Sequence, residues 1–358
     1  MLDRVIRPAL LIAALACSAC DRSETRDPPP TPEPGPAAIS ALADVPGVPE
    51  LRTCRGSASA ATPGRGFDHK RSHLVATATP HHAVPDAFAR PGETVELFGK
   101  FGYGDIGKDL EDESVEVMLD DCTSLAIRGT AKTDDDGIAR VELTAPDRPG
   151  AYHVEFRVVG DGSSAKAMLH VLPEGTELVV FDIDGTLTTD DAEVSHDVLD
   201  EHFRHLADGQ YVAAAYEHGA ELAKAWIDRG YVVVYVTGRP YWLVDHTRAW
   251  LAGGKYPEGI VRTTLRHREC VPNEGGVGAF KRAYLQSLVD AGYRIHAAHG
   301  NATTDVWAYA QVGIPTARTF IIGPHAGAGG TVAVSGDWSK ILDVAKQAPL
   351  AKQPFVRP

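Results

Sequence analysis

Positive charge is in short supply in this sequence. Its 35 lysines and arginines are outnumbered by 48 aspartates and glutamates, so the formal net charge is −13. An acidic chain has no overall positive field to collect phosphates, which argues against a nucleic-acid partner. Apolar runs are also short: Ala9–Ala16 falls below the about 20 residues that a membrane-spanning helix needs. What remains is a globular protein of 358 residues, long enough for two domains.

The N-terminus has the pattern of a short secretory signal. Two arginines precede the apolar run, and small residues surround Cys17 and Cys20. A cysteine after small residues resembles a bacterial lipoprotein processing site, so residues 1–20 are predicted to be a lipoprotein-type signal peptide. Residues 21–50, which are rich in proline, are predicted to be an extended linker. The sequence thus predicts an exported protein, periplasmic or on the cell surface, held to a membrane by a lipid on Cys17 or Cys20; a signal without a lipid is the alternative.

Cysteine is scarce as well, with only five residues in the chain. Export would place them in an oxidising compartment, where disulfides form. Once the two signal cysteines are set aside, Cys54, Cys122 and Cys270 remain. A disulfide between Cys54 and Cys122 is one possible pairing, and the spacing alone does not choose it.

A histidine-rich stretch follows the linker. Histidines with a nearby aspartate can bind a metal, but their spacing here fits no zinc template, which favours a solvated loop. The residues concerned are Asp68, His69, His73, His81 and His82.

Short alternating strands separated by Pro-Gly and Asp-Gly turns follow, from Phe88 to Val171. Such regular strands are typical of a β-sandwich. The segment Thr133–Gly137, together with Pro149-Gly-Ala-Tyr-His-Val, resembles bacterial immunoglobulin-like domains. We therefore expect an immunoglobulin-like β-sandwich over residues 51–173, without a catalytic set of its own.

Strands and helices alternate over residues 174–348, before a tail at 349–358. Apolar strand candidates such as Leu178–Phe181 and Tyr231–Val236 alternate with helical stretches such as Val277–Ala291. This alternation predicts a parallel sheet with helices on both faces. The expected fold class is α/β: a Rossmann-like parallel sheet preceded by the β-sandwich.

The strand at Leu178–Phe181 ends in Asp182-Ile-Asp184-Gly185-Thr186. Strand residues two apart point to the same side, so the two carboxylates should lie together. Gly185 permits the sharp turn that follows. Because ligands of open α/β sheets bind at the carboxyl ends of the strands, this stretch is the predicted site.

Later strand ends add groups that suit a phosphate. Thr237 and Gly238 offer a hydroxyl and turn amides for phosphate oxygens. Lys281 offers a point charge. Asn301 and Asp305 offer the hard oxygen ligands that Mg²⁺ prefers. Together they predict a phosphoryl-transfer site.

The order of these groups resembles that of the haloacid-dehalogenase phosphatase superfamily. The segment Gly300–Pro315 closely resembles the catalytic domain of lipins, the Mg²⁺-dependent phosphatidate phosphatases. Tyr235–Pro240 is similar to the related domain of the Nir phosphatidylinositol-transfer proteins, which lacks the first aspartate and binds phosphatidate without hydrolysing it. Asp182 is present here, which departs from the Nir pattern.

The resemblance implies a Mg²⁺-dependent hydrolase of phosphomonoesters, with phosphatidate in a membrane as the expected substrate. Asp182 would be the nucleophile that forms an aspartyl-phosphate, and Asp184 the acid and base. The implied phosphate-binding residues are Gly185 and Thr186, through their amides, together with Thr237, Gly238 and Lys281. The implied metal ligands are Asp182, the backbone carbonyl of Asp184, and Asn301 or Asp305. Two alternatives stay open: a catalytically silent phospholipid-binding module of the Nir type, and a phosphatase for a soluble substrate.

Overall fold

The computed structural model describes residues 50–54, 63–104, 107–189 and 213–355, all within one compact unit. The predicted signal peptide at residues 1–20 and nearly all of the predicted linker lie outside the described residues. Within the described ranges, no helix is both long and apolar enough to cross a membrane.

The described β-rich part comprises ten strands and one short helix: β1 Arg52–Cys54, α1 Ser72–Val75, β2 Ala87–Ala89, β3 Thr94–Lys100, β4 Gly102–Tyr103, β5 Lys108–Asp109, β6 Ser114–Asp120, β7 Leu125–Lys132, β8 Ile138–Thr144, β9 Gly150–Val158 and β10 Ser164–Val171. Its largest sheet has six strands in the order β2-β10-β9-β6-β7, with β1 paired to β9. Strand β3 pairs with β8, and β4 with β5. Alternate residues of β9, such as Val154 and Phe156, enter one shared core, as the two-residue period of a strand requires.

A disulfide joins the end of β1 to the turn after β6. It links Cys54 to Cys122 across 68 residues, while Cys270 is buried and takes no part in a disulfide. By the chain-entropy argument, closing a loop of this length restricts the unfolded chain enough to stabilise the fold by about 4 kcal/mol.

The remaining elements form the α/β part: β11 Glu177–Phe181, α2 Gly219–Asp228, β12 Val232–Val236, α3 Val244–Gly253, β13 Ile260–Arg262, a π-helical turn Glu274–Gly278, α4 Ala279–Asp290, β14 Arg294–Gly300, α5 Thr303–Gln311, β15 Thr319–Ile322, β16 Val332–Val334 and α6 Ser339–Gln347. Short 3₁₀ turns lie at Tyr241–Leu243, His267–Cys270, Thr316–Arg318, Gly323–His325 and Ala328–Gly330. The six strands are parallel, in the order β13-β12-β11-β14-β15-β16. The assignments to a haloacid-dehalogenase-like and an immunoglobulin-like fold stay predictions.

Strand β11 is apolar throughout because both of its faces are covered. Phe181 packs with Trp226 on one face, and Val180 packs with Phe280 on the other. A parallel sheet buried on both faces calls for such a continuous apolar strand. The chain leaves β11 toward β12 and β13 and returns on its other side at β14, so the strand order reverses beside β11. Such a reversal opens a crevice at the carboxyl ends of the strands.

Asp86 ties the β-rich part to the edge of the parallel sheet. Its buried carboxylate accepts the Met168 amide at 2.9 Å and the Val261 amide of β13 at 2.8 Å. Arg248 on α3 donates to the same carboxylate at 2.7 Å. The β-rich part thereby supplies an acceptor to an edge strand that would otherwise present a bare amide.

Candidate functional site

The structure gathers the predicted site residues at the crevice beside β11. One polar residue follows directly after each of three strands: Asp182 after β11, Thr237 after β12 and Asn301 after β14. Lys281 and Asp305 lie in the first turns of α4 and α5, the helices that precede and follow β14. Neighbouring parallel strands end at the same edge of the sheet, which is why residues distant in sequence meet here.

Lys281 stands between two buried carboxylates. Its Nζ lies 2.6 Å from Asp182 Oδ1 and 2.6 Å from Asp305 Oδ1, and all three side chains are buried. The other oxygen of Asp305 accepts the amides of Asn301 and Ala302, both at 3.1 Å. An acid in the first turn satisfies otherwise unpaired amides at a helix start, so Asp305 is fixed by α5 itself.

Burial and charge set the protonation of this trio. Burial alone would lower the pKa of Lys281, but the carboxylates of Asp182 and Asp305 raise it well above its usual value. Burial raises the pKa of Asp182; Lys281 opposes this rise, while Asp305 and Asp184 add to it. Lys281 is therefore a permanent cation, and the Asp182 carboxylate depends on it for its charge.

The turn after β11 is closed by its own hydrogen bonds. Gly185 adopts the left-handed φ of +72° that glycine favours, and its amide donates to Thr188 Oγ1 at 3.0 Å. The amide of Thr186 donates to Ile183 O at 3.2 Å. The two amides predicted to bind phosphate are thus engaged inside the turn, although their residues lie where they were expected.

Thr186 also places two oxygen ligands side by side. Its hydroxyl lies 2.9 Å from Asp182 Oδ2 and 3.0 Å from Asn301 Oδ1. A hydroxyl has one proton and donates it to one of the two at a time. Trp338 holds this residue in place by donating to its carbonyl oxygen at 2.9 Å. Two hard oxygens that share one donor suit a divalent cation.

Asp184 is held by an arginine that the sequence interpretation left without a role. Arg239, fully buried, donates from Nη2 and Nε to Asp184 Oδ1 at 2.8 and 3.0 Å. Thr237 donates its hydroxyl to Asp184 Oδ2 at 2.8 Å. Paired hydrogen bonds from a guanidinium to a carboxylate are among the strongest in proteins. The sequence position of Arg239, two residues after the predicted phosphate-binding Thr237, could have indicated a role at the site.

Gly238 serves the packing of this edge. A Cβ at this position would lie 2.9 Å from Val277 Cγ2, in the π-helical turn before α4. Only glycine therefore allows the loop after β12 to approach that turn. Its predicted phosphate contact stays a prediction.

The predicted Mg²⁺ ligands differ in what already contacts them. Asp182 and Asn301 present adjacent oxygens beside the Thr186 hydroxyl, and Asp182 also contacts Lys281. The Asp305 carboxylate contacts Lys281 and two amides, and the Asp184 carboxylate contacts Arg239 and Thr237, which leaves the prediction for the Asp184 carbonyl untouched. Within the described residues, the carboxylates and histidines that converge within 4.8 Å lie elsewhere, at Glu217, His218 and Asp337. The metal ligands therefore stay a prediction, in which Asp182 and Asn301 are the side chains whose adjacent oxygens would hold the ion.

A buried histidine that sequence reasoning missed supports the site from behind. The carbonyl of His299 accepts the Asp182 amide at 3.0 Å, and its ring stacks on Phe181 with centroids 4.1 Å apart. Burial lowers the pKa of His299 to about 3, so the ring is neutral and structural rather than an acid or base.

We expect acid to destabilise the fold through His299 and His82, whose pKa burial lowers to about 4. Both values lie below about 6.5 for an unfolded histidine, so the unfolded chain binds more protons as the pH falls. The contribution of these two histidines to the free energy of unfolding is fully present above about pH 6.5. The free energy of unfolding should drop by about 2 kcal/mol per histidine between pH 7 and 5. Urea unfolding at the two pH values measures this. His299→Phe, which keeps an aromatic ring, should show a smaller drop; an unchanged drop would contradict the assignment.

Comparisons with known proteins bear on the identity of this site. A model of the LNS2 domain of PITM 1-3 matches residues 179–323. The chain is 32% identical to human membrane-associated phosphatidylinositol transfer protein 1 over 291 residues, which cover 77% of this chain and 21% of that protein. It is 30% identical to human membrane-associated phosphatidylinositol transfer protein 2 over 278 residues, covering 73% of this chain and 18% of that protein. The chain thus spans about a fifth of the length of these relatives.

Among solved structures, the adhesin InvE of Yersinia pseudotuberculosis aligns over 30% of this chain and 32% of that chain. Its sequence identity is 14% and its TM-score 0.22, which is too low to support any argument. The fold described above therefore stands on the strands and helices of this chain alone.

These matches correct the family resemblance. The matching domain belongs to phosphatidylinositol transfer proteins, as the similarity of Tyr235–Pro240 to the Nir domain indicated, so the identification as a lipin-type phosphatase was wrong. The two alignments are about twice as long as the segment 179–323 and therefore reach into the β-rich part. The identification of that part with the family of bacterial immunoglobulin-like domains was wrong as well, whereas its fold class stays a prediction. A short ordered set of strand-end residues is shared among related domains and does not separate them.

The predicted location was wrong too. The relatives are named membrane-associated phosphatidylinositol transfer proteins, from human, rat and mouse, which contradicts an exported, lipid-anchored hydrolase with a lipoprotein signal peptide. The predicted location and the names of these relatives have one feature in common, which is association with a membrane. Over residues 179–323, the chain is similar to the LNS2 domain of membrane-associated phosphatidylinositol transfer proteins.

Proposed function

We propose that this chain binds the phosphomonoester head group of a membrane phospholipid, with phosphatidate as the expected ligand and Mg²⁺ as its cofactor. The observation that carries the proposal is the pairing of Asp184 with Arg239 at 2.8 and 3.0 Å beside the Asp182–Lys281 pair. Both pairs lie at the crevice where parallel sheets bind ligands.

The charges of the site suit a phosphate only when a cation accompanies it. With every group ionised, three carboxylates (Asp182, Asp184, Asp305) face two cations (Lys281, Arg239). A phosphomonoester adds about −1.5 to −2 at neutral pH, which a negative site would repel. Mg²⁺, when bound, supplies the missing positive charge. Lys281 then remains to orient the phosphate oxygens, while Arg239 keeps Asp184 in place.

The pairing of Asp184 favours binding over hydrolysis. A carboxylate that accepts two hydrogen bonds from a buried guanidinium is ionised, so it has no proton to give to a leaving alkoxide. Hydrolysis would first require Arg239 to release Asp184. Binding requires no such release.

The relatives support a phospholipid ligand. Their names describe membrane-associated transfer proteins for phosphatidylinositol. This chain spans about a fifth of their length. We therefore carry over only the lipid class and not the transfer activity.

Hydrolysis of the phosphomonoester is the second candidate, favoured by the presence of Asp182. Its carboxylate stands at the end of β11 between Lys281 and the Thr186 hydroxyl, where an attacking oxygen would be oriented. In that reaction a bond forms from Asp182 to phosphorus while the bond to the alkoxide breaks. The alkoxide then needs a proton from Asp184, after Arg239 has moved away.

The test measures binding and hydrolysis together. Titration of the full chain with short-chain soluble phosphatidate should give saturable binding with Mg²⁺ and at least about ten-fold weaker binding in EDTA. The matching phosphatidylcholine, which lacks a phosphomonoester, should not bind. Released phosphate is assayed in the same samples for the wild type and Asp182→Asn.

Asp343→Asn, an exposed aspartate on α6, is the matched control. Binding without phosphate release supports the binding function. Phosphate release that Asp182→Asn abolishes and Asp343→Asn retains would replace it by hydrolysis. Absence of both binding and release contradicts both candidates.

A further inference from the structure

An exposed turn between β1 and β2 of the β-rich part presents a leucine beside two basic residues. Leu74, on α1, is 75% exposed, more than any other large hydrophobic residue in the described part of the chain. Lys70 and Arg71 immediately precede α1 and are both exposed. Asp68, the nearest acid in sequence, is already paired with Lys132 at 3.2 Å. We call residues 69–74 the basic turn.

The basic turn is held rigidly from beneath. The amides of Asp68 and His69 donate to the two oxygens of Glu113 at 2.8 and 2.9 Å. Ser114 donates to the Asp68 carboxylate at 2.7 Å. These bonds fix the start of the turn, and within it the amides of Leu74 and Val75 donate to Arg71 O at 3.0 and 3.4 Å. A surface ordered in advance loses little conformational entropy when it docks.

We propose that the basic turn docks on an anionic bilayer, with Leu74 entering the headgroup region and Lys70 and Arg71 contacting lipid phosphates. Cationic side chains beside an exposed apolar one are the features that bind membrane surfaces. The chain as a whole carries a net charge of −13, so such a surface would repel most of it. A local basic turn would therefore determine which face of the protein approaches the bilayer.

The turn is connected to the rim of the phosphate site. The β4–β5 hairpin receives the chain after the turn, since Gly104 donates its amide to Thr79 O at 2.8 Å. In the same turn of that hairpin, Gly107 donates its amide to Gly104 O at 2.8 Å, and a Cβ on Gly107 would lie 3.2 Å from the Tyr241 hydroxyl. Tyr241 comes two residues after Arg239, which holds Asp184. The proposal rests on the proposed function in this respect: docking would bring a membrane lipid to that rim.

Two variants test the docking. Sedimentation of the full chain with phosphatidylcholine vesicles containing phosphatidylserine measures membrane affinity without a phosphomonoester. Lys70→Gln/Arg71→Gln should weaken this binding by about 30-fold at low ionic strength. Leu74→Ala should weaken it by about ten-fold. Salt should reduce wild-type binding and leave little difference between wild type and the charge variant.

Helix α6 provides a matched control. It presents an exposed apolar residue, Val344, between the exposed Lys340 and Lys346. Val344→Ala and Lys340→Gln/Lys346→Gln should bind vesicles as the wild type does. Losses equal to those of the basic-turn variants would show a non-specific charge effect and overturn the proposal.

Soluble short-chain phosphatidate separates this proposal from the proposed function. Basic-turn variants that lose vesicles but still bind soluble phosphatidate support docking. If soluble phosphatidate does not bind, yet vesicle affinity still depends on the turn, docking stands and the phosphate function fails. The docking proposal is overturned if Leu74→Ala and the charge variant both bind vesicles with wild-type affinity. It is also overturned if the turn is needed only for binding another protein.

Discussion

Replacing Lys281 with methionine is expected to lower the free energy of unfolding by about 3–5 kcal/mol at pH 7, because it leaves buried carboxylates without their cation. Asp182 and Asp305 each lie 2.6 Å from its Nζ and have little access to solvent. Urea unfolding of the variant and the wild type measures the loss. Binding of soluble phosphatidate should disappear with it, since the same ammonium faces the phosphate.

The loss from Lys281→Met should shrink as the pH falls. Burial raises the pKa of Asp182 above its unfolded value, so proton uptake favours the folded state below that pKa, and this gain is lost as the pH rises through it. Without Lys281 the pKa of Asp182 rises further, so the fold loses more stability as the pH rises. Lys224→Met is the control, since Lys224 is exposed and its pair with Asp228 is a surface pair of about 0.5 kcal/mol or less. Equal losses for both lysine variants would show that the cluster is not electrostatically strained.

Asp86→Ala is expected to cost about 3–4 kcal/mol and to loosen the β-rich part from the α/β part. The change leaves the Met168 and Val261 amides without their acceptor, at about 1–3 kcal/mol for each buried group. Arg248 loses its buried partner as well. Urea unfolding gives the free energy, and hydrogen exchange of β13 amides reports whether the edge strand opens.

Asp245→Ala is the matched control for Asp86→Ala. Asp245 pairs with the same Arg248 at 3.1 Å, but its side chain is 74% exposed. An exposed pair contributes about 1 kcal/mol at most. Asp86→Asn, which keeps one carbonyl oxygen, should fall between the two alanine variants. Protection of β13 that Asp86→Ala leaves unchanged would contradict the role given to this carboxylate.

Two strands begin and end within a residue of the bounds predicted from their apolar runs. The candidate Leu178–Phe181 corresponds to β11, and Tyr231–Val236 to β12. The polar residues after these strands were predictable as neighbours because parallel strands end at one edge. The partner of Asp184 was not, since the reach of Arg239 depends on the path of the chain after β12.

Other elements escaped prediction for local physical reasons. Strand β7 contains Gly129, which is usually a sign of a break. In the structure a Cβ there would lie 2.5 Å from Val141 Cγ2, so glycine is required by packing. Strand β13 has three residues, too few to show alternation. Helix α2 begins at Gly219, directly after His218, which adopts a left-handed φ of +65°.

The central position of β11 has a consequence for the time course of folding. Its residue Glu177 pairs with Arg294 of β14, so this half of the sheet closes only when two strands far apart in sequence meet. Pairings between distant residues form slowly because the entropy of loop closure opposes them. During synthesis, Asp182 and Asp184 would emerge long before Lys281. The two aspartates therefore stay solvated until late, and the finished site marks a chain whose sheet is complete.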